Sequence, residues 1–236
     1  MYRETESGRL YAHPFCRAYW KDAAAELRST RMLVFAALMI ALRVALKSVS
    51  IPVAADLRIN TAFIINGFGA MIMGPVLAML AAIVSDTLGC VLFPTGTYFM
   101  PFVLTEIAGS LIFALFLYRA RITVRRVVLS RFCIDFFVNI VLTTPLMALY
   151  YQLVLGRNYT LFNLTRIIKN LVLFPAEAVI LVAVLRMAIP AVRRAGYAVP
   201  PVDGLRITRK NIAMLAALTA LSVLAVAGYL AYRASC

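Results

Sequence analysis

The chain has 236 residues, of which 63% are hydrophobic and 14% are charged, and its formal net charge is +14. Soluble domains are roughly 45–50% apolar and about 25% charged, so this composition excludes a soluble globular protein, and its richness in apolar residues also excludes a disordered chain. In so apolar a chain, the positive charge indicates the cytoplasmic loops of a membrane protein rather than nucleic-acid binding.

The first half of the chain contains a polar start and four apolar segments. Residues 1–30 are polar and lack the apolar core of a signal peptide. A spanning helix needs roughly 20 apolar residues, and we predict span 1 at 32–50, a short span 2 at 61–73, span 3 at 76–92 and span 4 at 99–118. The loop 52–60 separates spans 1 and 2, Gly74-Pro75 breaks the chain before span 3, and a tight Pro-Gly turn precedes span 4.

Three longer segments follow a basic loop. Span 5 is predicted at 127–155 with a kink at Pro145, and span 6 at 161–189 with an interruption at Pro175. A polar linker, 190–210, precedes span 7 at 211–232. The sequence therefore predicts an all-α membrane protein, divided into a polar cytoplasmic extension (1–30), a transmembrane bundle (31–190), a linker (191–210) and an additional transmembrane or membrane-lying helix (211–236).

The basic residues are unevenly distributed among the predicted loops. If the N-terminus is cytoplasmic, 17 of the 24 basic residues fall on the inner side and six on the outer side, with Arg43 inside span 1. Cytoplasmic loops carry the excess of Lys and Arg, so we predict a multi-pass membrane protein with a cytoplasmic N-terminus. On the sparsely charged outer side, Arg58 and Lys169 are candidates to meet an anionic ligand.

Several enzyme chemistries are excluded by what the sequence lacks. The only histidine, His13, lies in the polar start, and none of the four cysteines is within four residues of another. The sequence contains no HExxH, GxSxG or GxxxxGK[ST] motif. We therefore expect no metal site, no catalytic residues, no cofactor and no ATPase in this chain, so that any energised work depends on another subunit or on an ion gradient.

Four acids lie inside predicted spans: Asp86, Glu106, Asp135 and Glu177. Ionisable groups inside a membrane are costly and mark either a site or a buried pair. Asp135 has Arg131 one turn away, which favours a structural ion pair, and Glu106 and Glu177 are either protonated or paired within the bundle. Asp86 lies one turn below the outer turn and is either a ligand-binding or a structural acid.

Two further patterns admit a binding or a packing interpretation. Polar residues on spans 5 and 6 either line a cavity or hydrogen-bond between helices; they include Asn139, Lys169 and Asn170. Asn66 on span 2 lies near Arg58, which is either a ligand-binding cation or a charge that snorkels to the interface.

The uncharged turn between spans 3 and 4 is crowded with rings and is either an interfacial aromatic belt or a platform for a flat aromatic ligand. It contains Phe93, Thr95, Gly96, Tyr98, Phe99 and Phe102.

Span 1 carries Ala37, Ala41 and Ala45 at four-residue spacing. Two consecutive small-xxx-small steps form a flat ridge that another helix can approach closely. The ridge serves either packing within the bundle or the docking of a separate membrane subunit.

Two stretches resemble the substrate-binding S components of energy-coupling factor (ECF) vitamin transporters, in particular the folate branch. They are Ser85-Asp86-Thr87-Leu88-Gly89 with Leu92-Phe93-Pro94-Thr95-Gly96-Thr97-Tyr98-Phe99, and Arg166-Ile167-Ile168-Lys169-Asn170-Leu171 through Phe174-Pro175-Ala176-Glu177. The alanine ridge resembles the motif with which such proteins dock on their coupling subunit. The resemblance covers about residues 31–195, and the long polar start and span 7 depart from it.

The resemblance implies a six-helix S-component bundle, here followed by an extra C-terminal helix, that captures folate or a related vitamin from outside. It implies a transmembrane coupling subunit and two ATPase subunits that hydrolyse ATP, and no nucleic acid. Pterin rings would stack on the aromatic turn, Asp86 would accept hydrogen bonds, and Arg58 and Lys169 would meet the carboxylates. Asn66, Thr95, Gly96, Asn139 and Asn170 would supply neutral contacts. The alternative is a stand-alone, ion-coupled secondary transporter of a small aromatic or anionic solute.

Overall fold

The computed structural model of the chain describes residues 10–11, 13–47, 50–54, 57–93, 99–157, 164–197, 199, 205 and 208–235. Within these residues the chain is helical apart from one two-stranded hairpin. The elements in order are α1 (Arg17–Ala25), α2 (Thr30–Lys47), β1 (Ser50–Ala54), β2 (Leu57–Asn60), α3 (Ala62–Leu92), α4 (Val103–Leu117), α5 (Val124–Cys133), a π-helical stretch (Ile134–Leu142), α6 (Thr143–Leu153), α7 (Leu164–Arg194) and α8 (Arg209–Ser235).

Helix α3 contains the predicted spans 2 and 3 and is kinked between them. Gly74 has φ +74° and ψ 174°, a backbone conformation that is essentially restricted to glycine. Pro75 follows, and its fixed φ suits the first turn of the second helical segment. The predicted break at Gly74-Pro75 is therefore confirmed, and the ring of Tyr118 occupies the space beside Gly74.

The segment predicted as a loop at 52–60 forms most of an antiparallel hairpin. Strand β1 pairs with β2, with Ser50 opposite Asn60 and Pro52 opposite Arg58. The loop prediction was wrong, because the two segments pair their backbone N–H and C=O groups with each other as strands. This hairpin carries Arg58, whose side chain lies outside the described residues.

The predicted span 5 is helical as far as Leu153, and it contains a π-helical stretch, Ile134–Leu142, before Pro145. Two hydroxyl groups donate to carbonyl groups in this stretch: Thr143 Oγ1 to the oxygen of Val138 at 2.7 Å, and Thr144 Oγ1 to that of Ile140 at 2.5 Å. The oxygen of Val138 also accepts the backbone N–H of Thr143. The kink at Pro145 stays a prediction.

The predicted interruption of span 6 at Pro175 was wrong. Helix α7 runs through both Pro175 and Pro190. Pro175 is among the fully buried residues, and neighbouring helices commonly compensate for the hydrogen bond that proline loses in membrane proteins.

In the described part of the chain, four helices are long and apolar enough to cross a membrane, or five if a bent pair is counted as one span. The pair consists of Arg17–Arg28 and Thr30–Leu46, which are bent by 84°. The prediction of seven spans thus exceeds this number, partly because spans 2 and 3 lie in one kinked helix. Span 7 forms helix α8, whose residues Met214 and Leu215 pack against the core; its insertion across the bilayer stays a prediction.

The apolar core lies where α3, α4 and α7 meet. Met71, Phe113, Leu181 and Leu185 are almost completely buried there. A Cβ atom at Gly67 would lie 3.2 Å from Leu181 and 3.4 Å from Phe113, which shows how closely the three helices approach. This packing holds the polar side chains of the same helices at defined positions.

We expect Gly74→Ala to destabilise the protein by about 1–3 kcal/mol, because alanine does not adopt this backbone conformation readily. Its Cβ would also lie 2.9 Å from Cζ of Tyr118. Thermal unfolding in detergent, followed by circular dichroism, measures the effect. Gly228→Ala is the matched control, since nothing lies within 4 Å of a Cβ at Gly228. Equal melting temperatures for the two variants would contradict the assignment of the kink to Gly74.

Candidate functional site

Arg43 on α2 is buried and joins three helices. Its Nη2 atom lies 2.7 Å from Glu106 Oε2 on α4, and Nη1 donates to Ser110 Oγ at 3.5 Å. Ser110 Oγ in turn donates to Asn66 Oδ1 on α3 at 2.7 Å. Of the two alternatives left open for Glu106, the structure shows the paired one. Asn66, predicted to bind a ligand, is held in this cluster by its amide oxygen.

Arg131 on α5 forms a second buried cluster with two carboxylates. Its Nη2 atom lies 3.0 Å from Asp135 Oδ1 and 2.5 Å from Glu177 Oε2, and its Nε atom donates to Glu177 Oε2 at 2.9 Å. The guanidinium carbon lies 4.7 Å from the centre of the Phe63 ring. The expected Arg131–Asp135 pair is therefore confirmed, and Glu177 from α7 completes it.

Asn139 belongs to this second cluster, where its Nδ2 donates to Asp135 Oδ1 at 2.8 Å. Asp135 Oδ2 has no hydrogen-bond partner among the described residues, although Asp135 is only 4% exposed. Two carboxylates share one guanidinium, so not every carboxylate oxygen in the cluster receives a hydrogen bond from it. A buried acceptor of this kind can receive a hydrogen bond from an N–H or O–H group of a ligand.

Three rings gather where α4 begins and α6 ends. The ring centre of Phe99 lies 5.4 Å from those of Phe102 and Tyr150, and Phe102 and Tyr150 are 5.9 Å apart. Such edge-to-face and tilted arrangements are favoured by aromatic quadrupoles. Sequence reasoning singled out Phe99 and Phe102 but missed Tyr150. The available signal was the Tyr150-Tyr151 pair, because it lies near the end of span 5, on the same predicted outer side of the membrane as the aromatic turn.

The other predicted ligand-binding residues have different positions. Phe93 ends α3 with 44% of its surface exposed. Asp86, Lys169 and Asn170 are half-buried, the first on α3 and the other two on α7. The remaining predicted residues, Thr95, Gly96 and Tyr98, lie outside the described residues, as does the Arg58 side chain.

The alanine ridge faces away from the rest of the chain. Ala37, Ala41 and Ala45 are exposed, whereas Met39 and Arg43 on the other side of α2 are buried. The described residues of this chain therefore leave much of the ridge accessible, and its role in packing or docking stays a prediction.

Comparison with known proteins agrees with this architecture. Residues 27–190 match the family described as "ECF-type riboflavin transporter, S component". The chain belongs to this family of S components. The match includes helices α2 to α6 and most of α7, and leaves α1 and α8 outside it.

Curated relatives of this S component are folate transporters. The folate transporter FolT of Clostridium novyi is 29% identical over 164 residues, which cover 68% of this chain and 91% of the relative. FolT of Leuconostoc mesenteroides is 27% identical over 150 residues, with coverages of 63% and 80%. A crystal structure of FolT bound with folic acid is similar with a TM-score of 0.55 and 27% identity, over 64% of this chain and 88% of that chain.

Family membership confirms the predicted helical S-component fold and the multi-pass membrane character of the chain. It also makes the chain a component of a transporter rather than an enzyme. The roles of the individual candidate residues in binding stay predictions.

We expect Arg131→Ala to destabilise this S component strongly, because it leaves two buried carboxylates without their cation. Removing one partner from a buried ion pair typically costs about 3–5 kcal/mol. Thermal unfolding in detergent measures the loss, and Arg125→Ala, an exposed arginine of the same helix, is the control. A melting temperature equal to that of the control variant would show that the cluster does not stabilise the bundle.

Proposed function

We propose that this S component captures folate, or a closely related vitamin, on the outer side of a bacterial plasma membrane and delivers it inward. The similarity to FolT carries the proposal, because the chain aligns with 91% of one folate transporter and with 88% of the chain of a folic-acid-bound structure. Folate combines a flat pterin with a glutamate that carries two carboxylates. A suitable site therefore needs aromatic surface, buried hydrogen-bonding groups and nearby cations.

The aromatic group Phe99, Phe102 and Tyr150 supports recognition of the flat part of the ligand. Its rings already pack on each other, so they offer a preorganised edge for stacking at little cost in side-chain entropy. Phe93 and Tyr98 extend the same aromatic stretch in the sequence. Thr95 and Gly96 lie between them and would add hydroxyl and backbone hydrogen bonds.

Polar residues would fix the orientation of the ligand. Asp86 would accept hydrogen bonds from the pterin amino group, and Asn66, Asn139 and Asn170 would supply neutral contacts. Lys169 is half-buried near the start of α7 and would meet a carboxylate in a charge-assisted bond.

Riboflavin, the vitamin in the description of the matching family, is the second candidate. It presents a flat three-ring system without carboxylates, so it would use the aromatic group but gain nothing from a cation. Arg58 and Lys169, on the side predicted to be poor in charge, favour the dianionic folate.

Transport would require partners, because the sequence contains no ATP-binding motif. We infer a transmembrane coupling subunit and two ATPase subunits that hydrolyse ATP. The exposed ridge of Ala37, Ala41 and Ala45 would be the docking surface, since small residues allow the backbones of two helices to approach closely. The alternative is an ion-coupled carrier that works alone, in which Asp86, Asp135 and Glu177 would serve as proton sites. Uptake by the chain alone in proteoliposomes, driven by a pH gradient, would favour that alternative.

Calorimetric titration of the purified chain with folate tests the binding proposal. We expect saturable binding with Kd below micromolar, and Phe99→Ala to weaken it roughly tenfold, or ~1.4 kcal/mol. Phe132→Ala is the matched control, because Phe132 on α5 packs on Phe136 and Phe174 instead. The absence of saturable folate binding would overturn the folate proposal, and binding of riboflavin instead would assign the site to that vitamin.

We expect Ala41→Leu to abolish most uptake by the assembled transporter while leaving vitamin binding by the isolated chain unchanged. Leucine would fill the flat ridge and separate the two helices that meet there. Uptake in cells that supply the partner subunits, together with calorimetry of the isolated variant, measures both effects. The control Ala183→Leu alters an exposed alanine on α7. Normal uptake by the ridge variant would contradict docking at this surface.

A further inference from the structure

Four segments of the chain are tied together at one end of the bundle. Arg119, which follows α4, reaches Asp22 on α1 at 2.5 Å and Glu26 at 3.3 Å. Arg31, at the start of α2, donates to the backbone oxygen of Ala195 just after α7, and its guanidinium carbon lies 4.2 Å from the centre of the Tyr197 ring. Helix α1, the start of α2, the turn after α4 and the end of α7 therefore lie together at one end of the bundle, which we call the α1 end.

Helix α1 crosses this end at a steep angle to the neighbouring span. The segment Arg17–Arg28 is bent by 84° from Thr30–Leu46, so α1 lies close to the membrane plane if α2 crosses the membrane. Tyr19, only 1% exposed, anchors it, because its hydroxyl donates to the backbone oxygen of Ala114 at 3.1 Å and its ring packs edge-on against Tyr118.

The acids of α1 and the turn that follows it are already engaged. Asp22 accepts hydrogen bonds from Tyr11 and Arg119, and Glu26 accepts them from Tyr118 and Arg119. Burial and the negative charge of Glu26 raise the pKa of Tyr118 above its ordinary value, so its phenol stays protonated as a donor. These contacts pair both carboxylates with groups of the protein itself.

The basic residues of the same end are turned outward. Arg17 and Lys21 lie one turn apart and are exposed. Further exposed basic residues follow in the neighbouring segments, namely Arg28, Arg31, Arg121, Arg125, Arg193 and Arg194. Since Asp22 and Glu26 are paired with Arg119, the described residues of this surface carry an excess of exposed positive charge.

Two large aromatic side chains accompany the basic residues of α1. Phe15 is 86% exposed and Trp20 is 36% exposed. Exposed rings of this size are unfavourable in water, whereas Trp and basic side chains are both typical of the headgroup region of a bilayer.

We propose that the α1 end binds the headgroups of anionic phospholipids, with Arg17 and Lys21 at the phosphates and Phe15 and Trp20 in the interfacial layer. Basic residues close to an anionic membrane surface are attracted to its headgroups. A lipid occupant suits α1 better than a partner common to the family, because α1 precedes the family-matched segment 27–190. This inference does not depend on the identity of the transported vitamin.

Trp20 is the only tryptophan of the chain, so its fluorescence reports on α1 alone. The full chain is placed in nanodiscs made of equal parts phosphatidylcholine and phosphatidylglycerol, with bromine on the acyl chains of one lipid or the other. Brominated phosphatidylglycerol is expected to quench Trp20 roughly twofold more than brominated phosphatidylcholine, and salt should reduce the difference.

The double variant Arg17→Gln/Lys21→Gln is expected to remove this preference. Arg157→Gln, which alters an exposed arginine after α6, should retain it, and unchanged thermal unfolding of both variants shows that the fold is intact. Equal quenching of the unaltered chain by the two lipids overturns anionic recognition. Quenching by iodide but by neither lipid overturns membrane contact and shows that α1 faces water or a protein partner. A preference that survives the double variant overturns the assignment to Arg17 and Lys21.

Discussion

Charge inside an apolar bundle must be paired, and Arg131 is where this constraint acts most strongly. Its guanidinium contacts Asp135 on the same helical segment and Glu177 on α7. The attraction between such groups is strong where water is excluded, but the cost of removing them from water is also large. The positions of α5 and α7 are therefore correlated, because a shift of either helix would leave a buried charge without its partner.

Arg43 imposes the same constraint on the other side of the bundle. It ties α2 to Glu106 on α4 and, through Ser110, to Asn66 on α3. These two clusters fix polar side chains inside a core that is otherwise apolar. A shift of any of these helices would therefore leave a buried polar group without its partner, which is costly.

The two ends of the bundle use charge for different purposes. At the α1 end, Arg119 binds Asp22 and Glu26, and most of the other basic residues remain exposed toward their surroundings. The opposite side is predicted to carry few cations, of which Arg58 and Lys169 accompany the aromatic stretch. The net charge of +14 thus reflects mainly how the protein sits in its membrane, and only a small part of it is assigned to ligand binding.

The sequence by itself determined the features that depend on neighbouring residues. Apolar runs marked most helices, Gly74-Pro75 marked the kink in α3, and the i,i+4 spacing marked the Arg131–Asp135 pair. Tertiary structure alone decided that Glu177, 46 positions from Arg131, contacts that pair, and that the ring of Tyr150 packs on that of Phe99. It also decided that α7 continues through Pro175 and that β1 pairs with β2. Local periodicity records which face of a segment is apolar, whereas the partner of a buried charge, ring or backbone group depends on which distant segments pack together.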